Sequence, residues 1–357
     1  MATQLTAPST FSAGQTAGVS ANLNTMVNDL TYLAGATVGR KNALHNSIGF
    51  PVNQRAAASV SATGYGVDRW LFILGSGATS VVTPTTPSPG TTSGYIKQYL
   101  AWTRTVAGST STTIEQRIES VSTFAGQTAT VSILMSCASG TVDINPVLTQ
   151  SFGSGGSPSG AVNTVGSTLT ATTTPTLYTY TFTVPSISGK TLGTTAGTDY
   201  LSLVLSRPTS GNGPTVALNI FAVQLELGSA FTGWEYVDQQ QNLSMCQRYF
   251  WRRPWTVANE FVAPGFWLTT SNIQSILTFP TTMRAVPTPA IGGVAASWAN
   301  YAATAGVLAC SSLPTAANAT PRDVSLSSTS AASGVLGQGG LLLGATSAAT
   351  IDFTADL

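Results

Sequence analysis

The chemistry open to this chain is bounded by how few ionisable side chains it carries. Its 357 residues include 13 Asp and Glu, 14 Lys and Arg, and one histidine, His45. Hydrolysis of a glycosidic bond needs two carboxylates on facing walls, roughly 5–10 Å apart. Glu115 and Glu119 fall on one predicted strand, four residues apart. That is about 13 Å along an extended chain, too far for a retaining pair. A pair assembled across strands stays open, and with it a polysaccharide depolymerase as a minor alternative. His45 would have to serve any Ser–His–Asp triad, yet it sits in an Asn-rich segment with no nucleophile motif beside it. It reads as a polar loop histidine. Cys137, Cys246 and Cys310 are odd in number and far apart. Their spacing fits neither a metal site nor a disulfide framework, so they read as small buried apolar residues of a chain folded in the cytoplasm. No glycine-rich phosphate cradle leads into a helix. With one histidine and no carboxylate cluster, no metal site is expected. A calcium ion held by loop carbonyls and one Asp has nothing to support it. The expectation is a protein with no catalytic residues, no metal and no cofactor.

Recognition without chemistry asks for less. Aromatic rings offer flat apolar faces to a sugar, and nearby amides and hydroxyls bond its hydroxyl groups. Trp298, Asn300 and Tyr301, in the run SWANYAA, are the candidate glycan contacts because their neighbours are small and polar. The competing reading is that Trp298 plugs a core. A second dense cluster comprises Tyr249, Phe250, Trp251, Arg252, Arg253 and Trp255. Aromatics and Arg are enriched at interfaces, so this cluster is expected at a domain–domain or subunit contact.

The elements that position these groups follow from composition and period. Charged residues are 8% of the chain against about 25% in an average soluble protein, so its surface must be built from Ser, Thr, Asn, Gln and Gly. Thr and Ser suit a strand surface better than a helix interior. With 35 Gly and 18 Pro as turn punctuation, the chain reads as all-β. Alternation is clear in Ala129, Val131, Ile133, Met135 and Cys137, in Tyr178, Tyr180, Phe182 and Val184, and in Leu201, Leu203 and Leu205. In TVALNIFAVQLELG the apolar parity slips between Ile220 and Phe221, which predicts a β-bulge there. Long Gly/Ser/Pro/Thr loops separate the runs. This pattern is that of antiparallel sandwiches or jelly rolls. The expected organisation is an N-terminal helical segment over 1–40, a jelly-roll sandwich over 41–237 and a second β-domain over 238–357. Pro280, Pro287 and Pro289 should mark loop or edge positions. Ile351 and Phe353 should face one side of a terminal strand. The small-residue region 302–349 reads either as thin strands or as loop.

The first forty residues stand apart. Ser20 can cap a helix and Gly35 can end it. Between them Leu23, Met26, Leu30 and Leu33 are spaced as a narrow heptad seam. Four turns are too short to hold together alone. The segment is either an amphipathic helix packed on its own domain or an anchor and self-association seam. Nothing else points to nucleic acid or to a membrane: there is no basic run and no apolar stretch of about 20 residues. The start, MATQLTAPST, has no signal-peptide pattern. A weakly charged surface is poorly protected against association, which favours a subunit that lives in an assembly.

Several short motifs resemble one known family. NALHNSIGFPVNQRAAASVSATGYGVDRW contains Asn53, Gln54 and Arg55, then Asp68, Arg69 and Trp70. Further on come Gln116, Arg117, Ile118 and Glu119, with Ala125 and Gly126. VQLELGSAFTGWEYVDQQQNLSMCQRYF supplies Gln224, Leu225, Glu226 and Gly228, then Cys246, Gln247, Arg248 and Tyr249. FPTTMRAVPTPAI supplies Met283, Arg284 and Pro287. In order and spacing, over roughly residues 42–290, these resemble bacteriophage tail-fibre and virion appendage proteins. The chain departs from that pattern at Thr281 and Thr282, and nothing after Tyr301 matches it. The resemblance implies a jelly roll like that of carbohydrate-binding modules, a second β-domain and a homotrimer. It implies a structural protein of the phage particle, assembled in the host cytoplasm. There it would serve as a tail fibre or appendage attaching to a host-surface glycan, with other virion proteins held through the N-terminal segment. The alternative is a head-decoration fibre or other purely structural piece with no ligand. Read residue by residue, the motifs look structural: Trp70 as core, Asp68 and Arg69 as partners near a sheet edge, Gln224 and Glu226 as surface or loop-bridging groups.

Overall fold

The computed structural model describes residues 40–56, 58–88, 96–253, 255, 257–331 and 333–357. The predicted seam Leu23, Met26, Leu30 and Leu33 lies outside them. Asn42–Leu357 forms one compact unit, and it is all-β apart from one short α-helix and a 3₁₀ turn among the described residues.

The first group of strands is β1 (Gly64–Tyr65), β2 (Leu71–Ile73), β3 (Thr79–Thr85), β4 (Tyr99–Val106), β5 (Thr112–Glu119) and β6 (Thr128–Cys137). It continues with β7 (Val142–Ser151), β8 (Val162–Val165), β9 (Leu169–Ala171), β10 (Thr176–Thr183), β11 (Tyr200–Arg207) and β12 (Leu218–Leu227). They form two antiparallel sheets, ordered β1-β2-β5-β11-β7-β8, with β9 also on β7, and β10-β6-β12-β4-β3. One core lies between them. Val131, Ile133 and Met135 of β6 meet Leu201, Leu203 and Leu205 of β11, with Trp70, Phe72 and Trp102 filling the remaining space. The alternation read from the sequence is the reason: in β6 the residues of one parity are all buried in this core.

The predicted bulge is present, and it has a topological use. The register of β12 on β6 shifts between Ile220 and Ala222. Before the shift β12 pairs on its other side with β4, through Leu218, Asn219 and Ile220. After it, that side is taken by the Asn-rich segment, where Ala43 N bonds Leu225 O, Val223 N bonds Ser47 O and Gly49 N bonds Phe221 O. One extra residue lets a single strand change partners without leaving backbone groups unpaired.

A helix, Gln239–Gln247, follows, where the sequence had suggested only a polar stretch. The Asp238 side chain caps it by accepting from Gln240 N at 2.8 Å. The second group is β13 (Phe250–Arg252), β14 (Glu260–Trp267), β15 (Asn272–Thr278), β16 (Thr288–Gly292) and β17 (Trp298–Ala302). The rest are β18 (Gly306–Ala309), β19 (Thr315–Ala317), β20 (Asp323–Thr329), β21 (Gly339–Gly344) and β22 (Thr350–Thr354). They form a three-stranded sheet, β13-β22-β16, and a seven-stranded one, β18-β17-β21-β14-β15-β20-β19. Trp251, Phe279, Trp298, Leu342, Ile351 and Phe353 share the core of this group. Strands of the two groups pair only within their own group. Ile351 and Phe353 do face one side of the last strand, which is central rather than peripheral in its sheet. Pro289 sits on the edge strand β16, while Pro280 and Pro287 lie outside strands. The small-residue region holds β18 to β21, so it is stranded rather than loop.

Candidate functional site

The motif residues, scattered over more than two hundred positions, meet at the seam between the two groups of strands. Asn46 prepares it. Its backbone is left-handed (φ 49°), its amide nitrogen donates to Val52 O at 2.8 Å and to Asp68 O at 2.9 Å, and its Oδ1 accepts from Val52 N at 2.9 Å. Trp70 Nε1 in turn donates to Asn46 O at 2.9 Å, so Trp70 is a core residue with its one polar atom satisfied. Between Asp68 and Trp70, Arg69 also takes a left-handed backbone (φ 75°). For a non-glycine residue that costs on the order of 1–2 kcal/mol. The turn it makes lays the Arg69 guanidinium over the Tyr249 ring, 3.3 Å from its centroid, with a hydrogen bond to Arg117 O. A cation over an aromatic face contributes about 0.5–2 kcal/mol, enough to offset the strained turn.

Asp68 accepts from Gln54 N at 2.5 Å and from Gln54 Nε2 at 3.1 Å, and Gln54 Nε2 reaches across to Phe250 O at 3.0 Å. Arg55 stacks on Phe250, 3.8 Å from its centroid, and pairs with Asp356. Arg252 holds Asp352 through two parallel bonds of 2.7 and 2.6 Å and donates to Arg55 O at 2.7 Å. Glu119, at the end of β5, receives Arg248 through two bonds of 2.9 Å and the Tyr249 hydroxyl at 2.6 Å. Arg117 pairs with Glu115 at 2.8 Å and reaches Leu357 O at 2.6 Å. Arg284 clips the C-terminal strand by donating to Ala355 O and Asp356 O, each at 2.9 Å, and it reaches Gly197 O at 2.8 Å. Gln116 exchanges two bonds with the backbone of His45, at 2.6 and 2.8 Å, and the His45 ring lies 5.9 Å from that of Tyr249. The planar forks of Arg suit such multiple contacts to carboxylates and carbonyls.

The electrostatics of the seam are opposed. Burial pushes the Asp68 and Asp356 carboxyls up, and the Arg55 charge beside each offsets only part of that. Burial also acts to raise Glu119, yet the hydrogen bonds from Arg248 and Tyr249 outweigh it and hold that carboxyl below its usual range. Tyr249 itself is pushed up to about 12, chiefly by burial. The Cys246 thiol, fully buried behind the seam, is raised well above the ordinary thiol value by burial and is inert as a nucleophile. Glu115 and Glu119 are each engaged by an arginine and share one strand, as their spacing suggested.

No protein-family model matches this chain, and no curated protein matches it. Among solved structures, the enzymatically active domain of tailspike protein 4 of bacteriophage CBA120 aligns at 12% identity and a TM-score of 0.33, over 52% of this chain and 21% of that one. The CBM22-1 xylan-binding domain of Xyn10C from Paenibacillus barcinonensis aligns at 14% and 0.30, over 48% and 94%. The carbohydrate-binding module CtCBM11 aligns at 12% and 0.31, over 49% and 98%. The chain thus spans about a fifth of the tailspike chain and nearly all of the two modules. With TM-scores below 0.5, these likenesses carry no argument about what this chain binds.

The remaining sequence candidates are placed as follows. Tyr249, Phe250 and Arg252 stand at the seam. Trp251 does not. Alternation along β13 turns it to the opposite side, where it stacks on Phe353 at 5.7 Å within the second core. Trp255 packs edge-on against Trp298 at 5.4 Å and belongs with that core too. The glycan candidates need the larger correction. Trp298 is wholly buried, its Nε1 donating to Gly292 O at 3.0 Å, so no ring face is left for a sugar. Asn300 is buried as well and accepts from Ser328 Oγ at 2.6 Å. Of the three, only Tyr301 is exposed. Gln224 and Glu226 bridge a loop as anticipated, but from buried positions. Gln224 donates to Glu226 at 2.9 Å and accepts from Glu235 N at 2.8 Å, and Glu226 accepts from Thr232 N at 3.1 Å.

Two buried arginines escaped the sequence reading. Arg104 and Arg207 lie inside the first group with no acid partner among the described residues, held by backbone carbonyls of Trp102, Arg207, Pro208, Gly213, Pro214 and Val216. Burial and the neighbouring Arg104 charge lower Arg207 to about 9. Their role is to hold the 208–216 loop against the sheet. A sequence signal was available only in the unusual presence of Arg inside two apolar strand patterns.

Proposed function

We propose that this protein is a non-enzymatic structural component of a bacteriophage particle, a fibre or appendage that assembles from copies of itself and attaches to a host-surface glycan. The observation that carries this reading is the convergence at the seam. Many of the residues by which the chain resembles phage appendage proteins come together there from five separate stretches: 53–55, 68–70, 116–119, 246–249 and 283–284. Among them Gln54, Arg55, Arg69, Arg117, Glu119, Arg248, Tyr249 and Arg284 fasten two β-structures through Arg forks, amides and stacked rings. A chain that commits so many of its polar groups to one joint suits a scaffold that must stay rigid. The seam's carboxylates are engaged by arginines, amides or hydroxyls, which supports a scaffold rather than a catalyst. Three buried unpaired thiols fit assembly in the reducing host cytoplasm. Single sugar contacts are weak, so adhesion would come from several copies acting together.

The test is localisation plus binding. Antibodies to this chain should label purified phage particles, and the purified full chain should bind host cells or their surface glycan as an oligomer. Labelling without cell binding would favour the purely structural alternative. Absence from particles, or a lone monomer that shortens polysaccharide, would sink the proposal.

A further inference from the structure

We infer that the outward face of the seven-stranded sheet of the second group is a contact surface between copies of this chain. The inference rests on the assembly reading above and names the surface that would serve it. Registers across the sheet place one residue from each successive strand in a row. Val307 lies opposite Tyr301, Tyr301 opposite Leu341, and Leu341 opposite Pro264. Ile276 stands beside Pro264, one position past the last paired residues of β14 and β15 on the same face. Val307, Tyr301, Pro264 and Ile276 are exposed, Ile276 by 56%, and Leu341 is half-buried. Phe266, two residues along β14, extends the patch and is also exposed. In all seven strands only Glu260 and Asp323 are charged, each at the first position of its strand.

Such a face is out of place on a free surface. Seven strands at about 4.8 Å spacing and roughly 10–27 Å length present on the order of 600 Å². That is close to the roughly 800 Å² per partner of a standard stable interface, and the exposed apolar row crosses five of those seven strands. The row's centre, Leu341, Pro264 and Ile276, offers no side-chain donor or acceptor, so a sugar would find stacking area but little to bond. A charged partner would find no complement either. The neutral, hydroxyl-rich surface of a second copy fits both conditions. Exposed apolar residues of the first group, such as Val165 and Leu192, lie on separate elements and form no such row.

The test uses the full chain. Sedimentation velocity over a dilution series should show the wild type as a multi-copy species. Ile276→Lys and Tyr301→Lys should each weaken association about tenfold or more, because each places an unpaired ammonium in the contact. Val165→Lys, exposed on β8, should leave association unchanged. A wild type that is single at every concentration would overturn both this surface and the assembly reading. A wild-type oligomer indifferent to both substitutions would overturn the surface alone. If a variant loses its β-sheet circular dichroism, hydrogen exchange of the wild type decides. Protection of 261–277 and 301–307 should fall on dilution, and constant protection refutes the contact. Glycan binding by a monomer, abolished by both substitutions, would also overturn it, in favour of a sugar platform.

Discussion

Trp298→Ala separates the structural reading of the second group of strands from a binding reading. The indole is fully buried, bonded through Nε1 to Gly292 O at 3.0 Å, and edge-on to Trp255 at 5.4 Å. Truncating a buried Trp to Ala costs about 3–5 kcal/mol in lost contacts and residual cavity. The Gly292 carbonyl loses its partner as well, which places the expectation in the upper half of that range. How this appears in a melting curve depends on the seam. If Asn42–Leu357 unfolds as one cooperative unit, an unfolding entropy of about 2.1 cal/mol/K per residue converts 3–5 kcal/mol into a drop of about 5–8 °C in a single transition. If the second group melts by itself, the same loss over its shorter length gives roughly 14–23 °C in a separate, earlier transition. The network of Arg55, Arg248, Arg252 and Arg284 predicts the first outcome. The assay is differential scanning calorimetry with urea unfolding followed by circular dichroism, and glycan binding measured on the same samples below the transition. A stability loss under about 1 kcal/mol, or intact melting with glycan binding abolished, would refute the placement of this ring in the core. An early separate transition would refute the seam as a coupling device.

Three further outcomes follow from the seam and the sheets. Tyr249→Phe removes the hydroxyl that donates to Glu119 at 2.6 Å. With Glu119 more than one-third exposed, the loss should be about 1 kcal/mol, the low end for a charged hydrogen bond. Because the folded Glu119 value is lowered, that contribution is present above the ordinary 4.5 and fades as pH falls through the folded value. Urea midpoints for the two proteins measured from neutral to acid pH should therefore converge. Asp68→Asn should do the opposite. Burial raises the folded Asp68 value above 3.8, so its stabilising effect is full below 3.8 and is lost as pH rises through the folded value. The uncharged amide escapes that loss, and the variant should gain on the wild type as pH climbs; parallel stability curves would contradict the burial argument. Gly340→Ala would set a Cβ 2.5 Å from Ile273 Cδ1 and 2.9 Å from the Tyr301 carbonyl oxygen. It should cost about 1–3 kcal/mol by overpacking, and an unchanged melting temperature would show that β21 and β17 lie farther apart.

What could be read from the amino-acid order was whatever depends on period and on local turn chemistry. The parity of β6, the bulge at Ile220 and the inward face of Ile351 and Phe353 follow from a two-residue repeat, which is a local property. The helix Gln239–Gln247 was missed because its signal is weak. Its apolar residues make no stripe, and the one clear marker was Asp238 ahead of three glutamines, a cap before good helix formers. Trp298 was open to two readings, a glycan contact and a core plug, and the fold takes the second for a physical reason. Small neighbours fit an open loop around an exposed ring as well as they fit a packed core. In the fold, a Cβ on Gly344 would stand 3.2 Å from the Trp255 ring that packs on Trp298, so the glycine leaves that ring its space, and Ala299 and Ala302 are themselves buried. Small residues beside a large one made room for it.

The seam was half legible, and the missing half explains the composition. Motif order named Gln54, Arg55, Asp68, Arg69, Glu119, Arg248 and Arg284 without saying that they touch, since contacts such as Arg55 with Asp356 or Gln54 with Phe250 join residues hundreds of positions apart. Once placed, they account for where a charge-poor chain keeps many of its charges. A buried ion pair gains little net stability over an apolar contact of the same shape, but breaking one is costly. Arg forks with fixed geometry therefore do better at setting how two β-structures meet than at holding either together. The cores need only alternation, and the outer sheet face, with two charged residues in seven strands, keeps little solvating charge of its own. Charge drawn to the seam and withheld from that face are two parts of one arrangement. If the face is covered by a second copy, the low charge content of the chain has a physical reason; if it stands bare in solution, the same composition predicts aggregation, which a concentration series would show as growth without a defined stopping mass.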